Sequence, residues 1–304
     1  MNLLKLNRQY SIIIFFFTIL VIFSVSKFLE IKNITIPYQT VICFFLISII
    51  GVCHGALDHV KGSQLMKIYK VKNNFYFYLV YIFLSLLVIL CWTILPLFTL
   101  IIFLLVASYH FGKEDSSVGL INNRGFKNIL YLFKGSLIVV APLFFHQEET
   151  LKIFQSLDVD IITANENLII FFLIISFSAN IILMSQLNYN GFLLADWLTI
   201  LLLNIFLSPL VAFTLYFCFL HSVRHSFSLI YEIDKKNFKN GVVKFIKKAV
   251  PLTVITAILF IIAIYFLTNY YVLDEAILKV IFIGLASLTF PHILLEYLIE
   301  KNEK

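Results

Sequence analysis

Long apolar stretches separated by short polar ones set the pattern of this chain. They run near 10–28, 36–57, 75–94, 96–111, 127–146, 167–186, 193–206, 209–231, 249–270 and 276–299. Most approach the roughly 20 residues that a helix needs to cross a bilayer core, and a helix satisfies its own backbone hydrogen bonds in hydrocarbon. The third and fourth stretches meet at Pro96, and the seventh and eighth at Ser208-Pro209, so these hairpins are divided by proline rather than by a polar loop. The pattern predicts an all-α, polytopic membrane bundle of about ten helices, with residues 1–304 forming a single transmembrane domain.

Composition agrees: 61% of residues are hydrophobic, 13% are charged and the mean hydropathy is +0.97. A soluble domain runs at about 45–50% apolar and 25% charged. The net charge of +6 does not point to nucleic acid, because the lysines sit in short loops between apolar runs, where they act as topology signals. With the N-terminus inside, the inner loops hold Lys61, Lys67, Lys70 and Lys72, then Lys113, Arg124 and Lys127, then a lysine-rich stretch from Lys235 to Lys248. The outer 147–166 loop is acidic, with Glu148, Glu149, Asp158, Asp160 and Glu166. Both termini are therefore expected in the cytoplasm. Removing one helix from 193–231 would put the lysine-rich loop outside, which favours ten helices.

Lys5 and Arg8 precede the first apolar run, and Ser24-Val25-Ser26 resembles a cleavage site, but the run is long for a signal peptide and a retained first helix is expected. Cys43, Cys53, Cys91 and Cys218 form no CxxC pair and read as small hydrophobes in helices.

Histidine breaks the apolar pattern. His54, His59, His110, His221, His225 and His292 sit at the edges of apolar segments or inside them, where an ionisable side chain is costly and marks a functional site. In the ten-helix topology all six fall at similar depth in the cytoplasmic half, whereas His146 lies at the outer end of its segment. His221 and His225 are spaced i, i+4 and project from one helix face, as a pair gripping one metal ion would. Asp58 can accept the outer N–H of a ligating imidazole and fix its tautomer. His292 follows Pro291, which frees the carbonyl of Ser287; packing or support of a ligand is expected of it ahead of direct ligation. An imidazole site suits Fe, Zn or Cu, so these residues alone point to a non-haem metal enzyme acting on a lipophilic substrate.

Four blocks carry a resemblance: GVCHGALDH at 51–59, SYHFGKED at 108–115, FLHSVRHSF at 219–227 and FPHILLE at 290–296. Together they resemble the Brp/Blh family of bacterial and archaeal membrane β-carotene 15,15′-dioxygenases. That resemblance implies an enzyme of a bacterial or archaeal plasma (inner) membrane that cleaves the central double bond of β-carotene with O2 to give two molecules of retinal. It implies an Fe(II) cofactor held by His54, His110, His221 and His225, with Asp58, His59 and His292 as supports outside the ligand set. Tyr109 and Tyr216 are expected along a substrate tunnel. Retinal as product implies a functional link to a microbial rhodopsin.

Two other classes use membrane histidines. A di-iron desaturase or hydroxylase needs about eight, as the resemblance to that family implies, and this chain has seven with one on the wrong side. A bis-histidine haem protein or a transporter with histidine gates is the non-enzymatic alternative, separable by a Soret band.

Overall fold

The computed structural model describes residues 3–28, 38–116, 124–161, 163–185 and 191–302, and it contains no strand among them. The helices are α1 (Leu3–Phe28), α2 (Gln39–Ile68), α3 (Phe75–Ile94), α4 (Pro96–Glu114), α5 (Arg124–Gly135), α6 (Leu137–Phe145) and α7 (Gln147–Gln155). They continue with α8 (Glu166–Ser185), α9 (Gly191–Phe206), α10 (209–233), α11 (Phe238–Leu267) and α12 (Leu273–Asn302). Proline opens α4 (Pro96) and α10 (Pro209), where its missing N–H costs no helical bond.

Eight spans are long and apolar enough to cross a bilayer, with α5 and α6 together supplying one of them as Phe126–Phe145. The other two segments expected from the sequence, 193–206 and 209–231, become the 16-residue α9 and the histidine-bearing α10. Part of the acidic stretch read as an outer loop is helical instead: α7 places Glu148 and Glu149 in its first turn, where carboxylates favour the positive end of the helix dipole.

The helices differ sharply in how much they bury. Half of the apolar window of α12 is buried (50%), against 11% for α3 and 6% for α11. α12 is thus a central strut, and α3 and α11 are outer staves that turn most of their apolar surface towards lipid. α4 and α5 make the most extensive helix pairing, because Gly112 and Gly135 let the backbones touch. A methyl group on Gly112 would collide with the carbonyl of Tyr131, and one on Gly135 with that of Ser108.

Two helices are locally rewound. α2 passes through a π-turn, Ile47–Gly51, into a 3₁₀ segment, Val52–Leu57, and α10 contains a π-turn, Tyr216–Ser222. The two π-turns pack on each other, with Gly51 beneath the ring of Phe217 and the Ser222 hydroxyl donating to the Gly51 carbonyl at 2.8 Å. Widened turns of this kind disturb the regular ladder and often mark functional positions. Here both sit beside histidines.

Candidate metal centre

Four helices deliver the histidines to one end of the bundle. His110 lies near the end of α4, His221 in the π-turn of α10, His225 one turn further along α10, and His292 after Pro291 in α12. His54 belongs to the 3₁₀ segment of α2, and its side chain lies outside the described residues. The four described rings form a continuous group. Centroid separations are 5.2 Å for His110–His221, 5.4 Å for His110–His292, 5.9 Å for His225–His292 and 6.4 Å for His221–His225. All four are buried.

Three of these rings are anchored from behind by carboxylates. His221 Nδ1 donates to Asp115 at 3.2 Å, His225 Nδ1 to Glu114 at 3.1 Å, and His292 Nδ1 to Asp58 at 2.8 and 2.9 Å. A carboxylate accepts only, so each contact puts the ring proton on Nδ1 and leaves the Nε2 lone pair for the opposite side. This is the arrangement by which outer groups orient metal-binding histidines. Glu296, one turn beyond His292, faces the same space: its Oε1 is 3.6 Å from His225 Nε2, 3.8 Å from His292 Nε2 and 3.0 Å from Lys61 Nζ.

Donor atoms of His110, His292 and Glu296 lie within 4.8 Å of one another. Two atoms each about 2.1 Å from a single ion can be at most about 4.2 Å apart, so a small closure brings the three into coordination range. The donor set is therefore chemically fit for a transition metal that accepts imidazole nitrogen and carboxylate oxygen.

Behind His221 lies a buried ionic network. Asp115 accepts from the Tyr216 hydroxyl at 2.7 Å and pairs with Arg224 Nη2 at 3.4 Å. Arg224 also pairs with Asp196 of α9 and bonds the Leu220 carbonyl and the Ser11 hydroxyl, both at 3.2 Å. Burial pushes the Asp115 carboxyl up, but the adjacent Arg224 guanidinium and the His221 hydrogen bond prevail and hold it below the usual carboxylate range. Lys134, buried in α5, bonds Ser116 at 3.0 Å beside this group.

A cavity of about 360 Å³ reaches His110, His221 and His292. Its other walls, from α2, α3, α4, α10, α11 and α12, are mostly apolar and aromatic, with Asp58 and His59 the ionisable exceptions, and Gly55 opens onto it with nothing within 4 Å of its missing Cβ. Gly51 thus serves close helix packing, whereas Gly55 leaves room.

The other expected residues fall as follows. Asp58 holds His292 and also accepts from the Tyr81 hydroxyl at 2.8 Å. His292, expected as a support, has its ring within the histidine group itself. His59 lines the cavity but gives Nδ1 to the Ala56 carbonyl of its own helix at 2.9 Å. Neither expected tunnel tyrosine lines the cavity: Tyr216 is turned to Asp115, and Tyr109 bonds Asn128 of α5 at 3.3 Å. His146 sits between α6 and α7, far along the chain from these helix ends.

Sequence reasoning passed over Glu114, Asp115, Asp196, Arg224 and Glu296. A signal existed for two of them, since Asp196 and Arg224 are charges inside consecutive apolar segments, and intramembrane charges pair. The remaining three lie within the quoted blocks at segment ends, where a carboxylate reads as an ordinary interfacial charge.

Comparison with known proteins matches this chain, over residues 45–300, to a family model described as β-carotene 15,15′-dioxygenase. A curated protein of that name from an uncultured marine bacterium, 66A03, is 29% identical over 259 residues, covering 82% of this chain and 90% of the relative. No solved structure matches. The matched region contains all four histidine helices and the cavity, and the chain belongs to the β-carotene 15,15′-dioxygenase family.

Proposed function

We propose that this protein is a non-haem Fe(II) dioxygenase that cleaves the central 15,15′ double bond of β-carotene with O2. The carbon–carbon double bond is broken and each carbon takes one oxygen atom, giving two molecules of all-trans-retinal with no other product. One observation carries the reading: an apolar cavity inside a membrane-type bundle ends on a group of imidazoles whose Nδ1 atoms are fixed by carboxylates.

Iron would be held by His110, His221 and His225, with His54 from the family resemblance, while His292 and Glu296, whose donor atoms lie within 4.8 Å of one of His110, are alternative donors. Bound iron supplies the electrons that make O2 reactive towards an alkene. Asp58, Glu114 and Asp115 hold the imidazoles in the ligating tautomer and orientation. Apolar cavity walls such as Phe77, Leu285 and Leu288 bind the polyene and exclude water from the reacting bond. Tyr81 and Tyr216 keep the Asp58 and Asp115 carboxylates in place.

The test is expression in bacteria that make β-carotene. Loss of orange colour with appearance of retinal is expected, and a His221→Ala variant should leave the colour. One iron per chain without a Soret band is expected of the purified protein. Absence of retinal from folded, iron-loaded protein, or two irons per chain, would refute the proposal. The retinal produced would serve a microbial rhodopsin.

A further inference from the structure

We infer that the carotenoid enters sideways from the bilayer, through an opening between α3 and α11 framed by Ile82 and Leu86 on one side and Leu252 and Thr256 on the other. The inference rests on the reading of the chain as a carotenoid-cleaving enzyme and adds the substrate's route to it.

Cavity and outer surface share side chains at this place. Tyr78, Ile82 and Leu86 recur every fourth residue along α3, so they form one stripe of the helix. All three line the cavity that reaches His110, His221 and His292. Yet they are 44%, 57% and 59% exposed, which a residue on a closed wall would not be. Only side chains at a rim can do both. Leu252 and Thr256, four apart on α11, form the facing edge and are half-buried.

The two staves do not close on each other. α3 packs on α12 and α4, while α11 packs on α12, α10 and the rewound part of α2, and no principal contact joins α3 to α11. Both helices turn apolar surface outwards over most of their length, so this gap faces hydrocarbon rather than water. Gly55 lies behind it and adds space where any larger side chain would project.

The chemistry of the substrate selects this route. β-Carotene has no polar atom, so passage through water would expose its whole surface, whereas lateral passage exchanges one apolar environment for another. A long conjugated polyene is also stiff, and it fits an open-sided cavity without folding. The portal then sets selectivity by bulk, and the histidine group sets where cleavage occurs.

The experiment uses the full-length, iron-loaded protein in lipid nanodiscs with β-carotene dissolved in the same bilayer. Without O2, capture is read from the circular dichroism that the achiral polyene acquires in a chiral site; in air, turnover is read as retinal released. Ile82→Trp and Leu252→Trp should each weaken capture and raise KM at least tenfold, with iron content unchanged and kcat close to wild type. Leu90→Trp, on α3 but away from the cavity, should match wild type. If Leu252→Trp fails to fold, Thr256→Trp takes its place. Folded, iron-loaded portal variants with wild-type capture and KM would overturn the portal. Wild-type protein that captures β-carotene without releasing retinal would refute the cleavage reading alone, and the portal would still be decided by capture in the variants. Wild-type protein that shows neither would overturn both.

Discussion

Arg224 is the sharpest test of how the centre is held. It is buried between two carboxylates, Asp196 and Asp115, and also bonds the Leu220 carbonyl and the Ser11 hydroxyl. Replacing it with methionine leaves both carboxylates buried with Lys134 as the nearby cation. Removing one partner from a buried ion pair costs about 3–5 kcal/mol, so Arg224→Met should destabilise by that amount. Asp196→Asn strands the opposite sign and should cost a similar amount. Simple addition would put the double variant at about 6–10 kcal/mol. The structure argues otherwise: with Arg224 and Asp196 both neutralised, Asp115 and Lys134 remain as one negative and one positive group, and charge balance returns. The double variant should therefore be no less stable than either single one. Denaturant titration in a fixed detergent, followed by helical circular dichroism, supplies the three values, and bound iron is measured alongside. An additive double variant would refute the charge-balance account, and Arg224→Met with wild-type stability would show that the guanidinium does not hold the carboxylates.

Asp58→Asn replaces the carboxylate that fixes His292 with an uncharged amide and should lower iron affinity about 10–100-fold without unfolding the protein, measured by competition with a chelator. Gly112→Ala forces α4 and α5 apart at the Tyr131 carbonyl; overpacking costs about 1–3 kcal/mol, and the melting temperature should fall accordingly. Outside the spans, Asp234 accepts from the Asn237 backbone N–H, from Lys244 and from Asn240, which pull its carboxyl from 3.8 down to about 2. A depressed acid stabilises the folded state above its ordinary value and loses that effect as pH falls through the depressed one. The melting-temperature gap between wild type and Asp234→Asn should thus be constant from neutral pH to about pH 5 and close by about pH 2; a gap that widened on acidification would contradict it.

The bundle was readable because hydrocarbon imposes a strong rule: each crossing needs a long apolar run, and the runs are there to be counted. Helix ends and hairpins followed from Pro96 and Pro209 for the same reason. The histidines were readable because imidazole in an apolar segment has no ordinary explanation. Depth placed them at one end, but depth carries no information about the angle around a helix axis. Tyr109 and Tyr216 were misplaced for that reason: both lie at the right level, and both point towards carboxylate or amide partners rather than the cavity. His292 joined the histidine group for the same reason, since nothing local announces that this part of α12 faces α4 and α10.

The π-turns mark a second limit. An i, i+4 pair on a regular helix shares a face, and that rule joined His221 to His225 correctly as neighbours. However, the widened turn Tyr216–Ser222 changes the phase of α10, so the face that the pair shares is set by the packing of Phe217 on Gly51 and by Ser222 on the Gly51 carbonyl. α2 is rewound at the same contact, which aims the segment carrying His54 and Asp58. The two irregular turns thus meet at one interface, where the Ser222 hydroxyl reaches the Gly51 carbonyl across the helices. The histidine blocks at 51–59 and 219–227 are therefore one structural unit, and a change at Gly51 should disturb histidines on both helices although it touches neither.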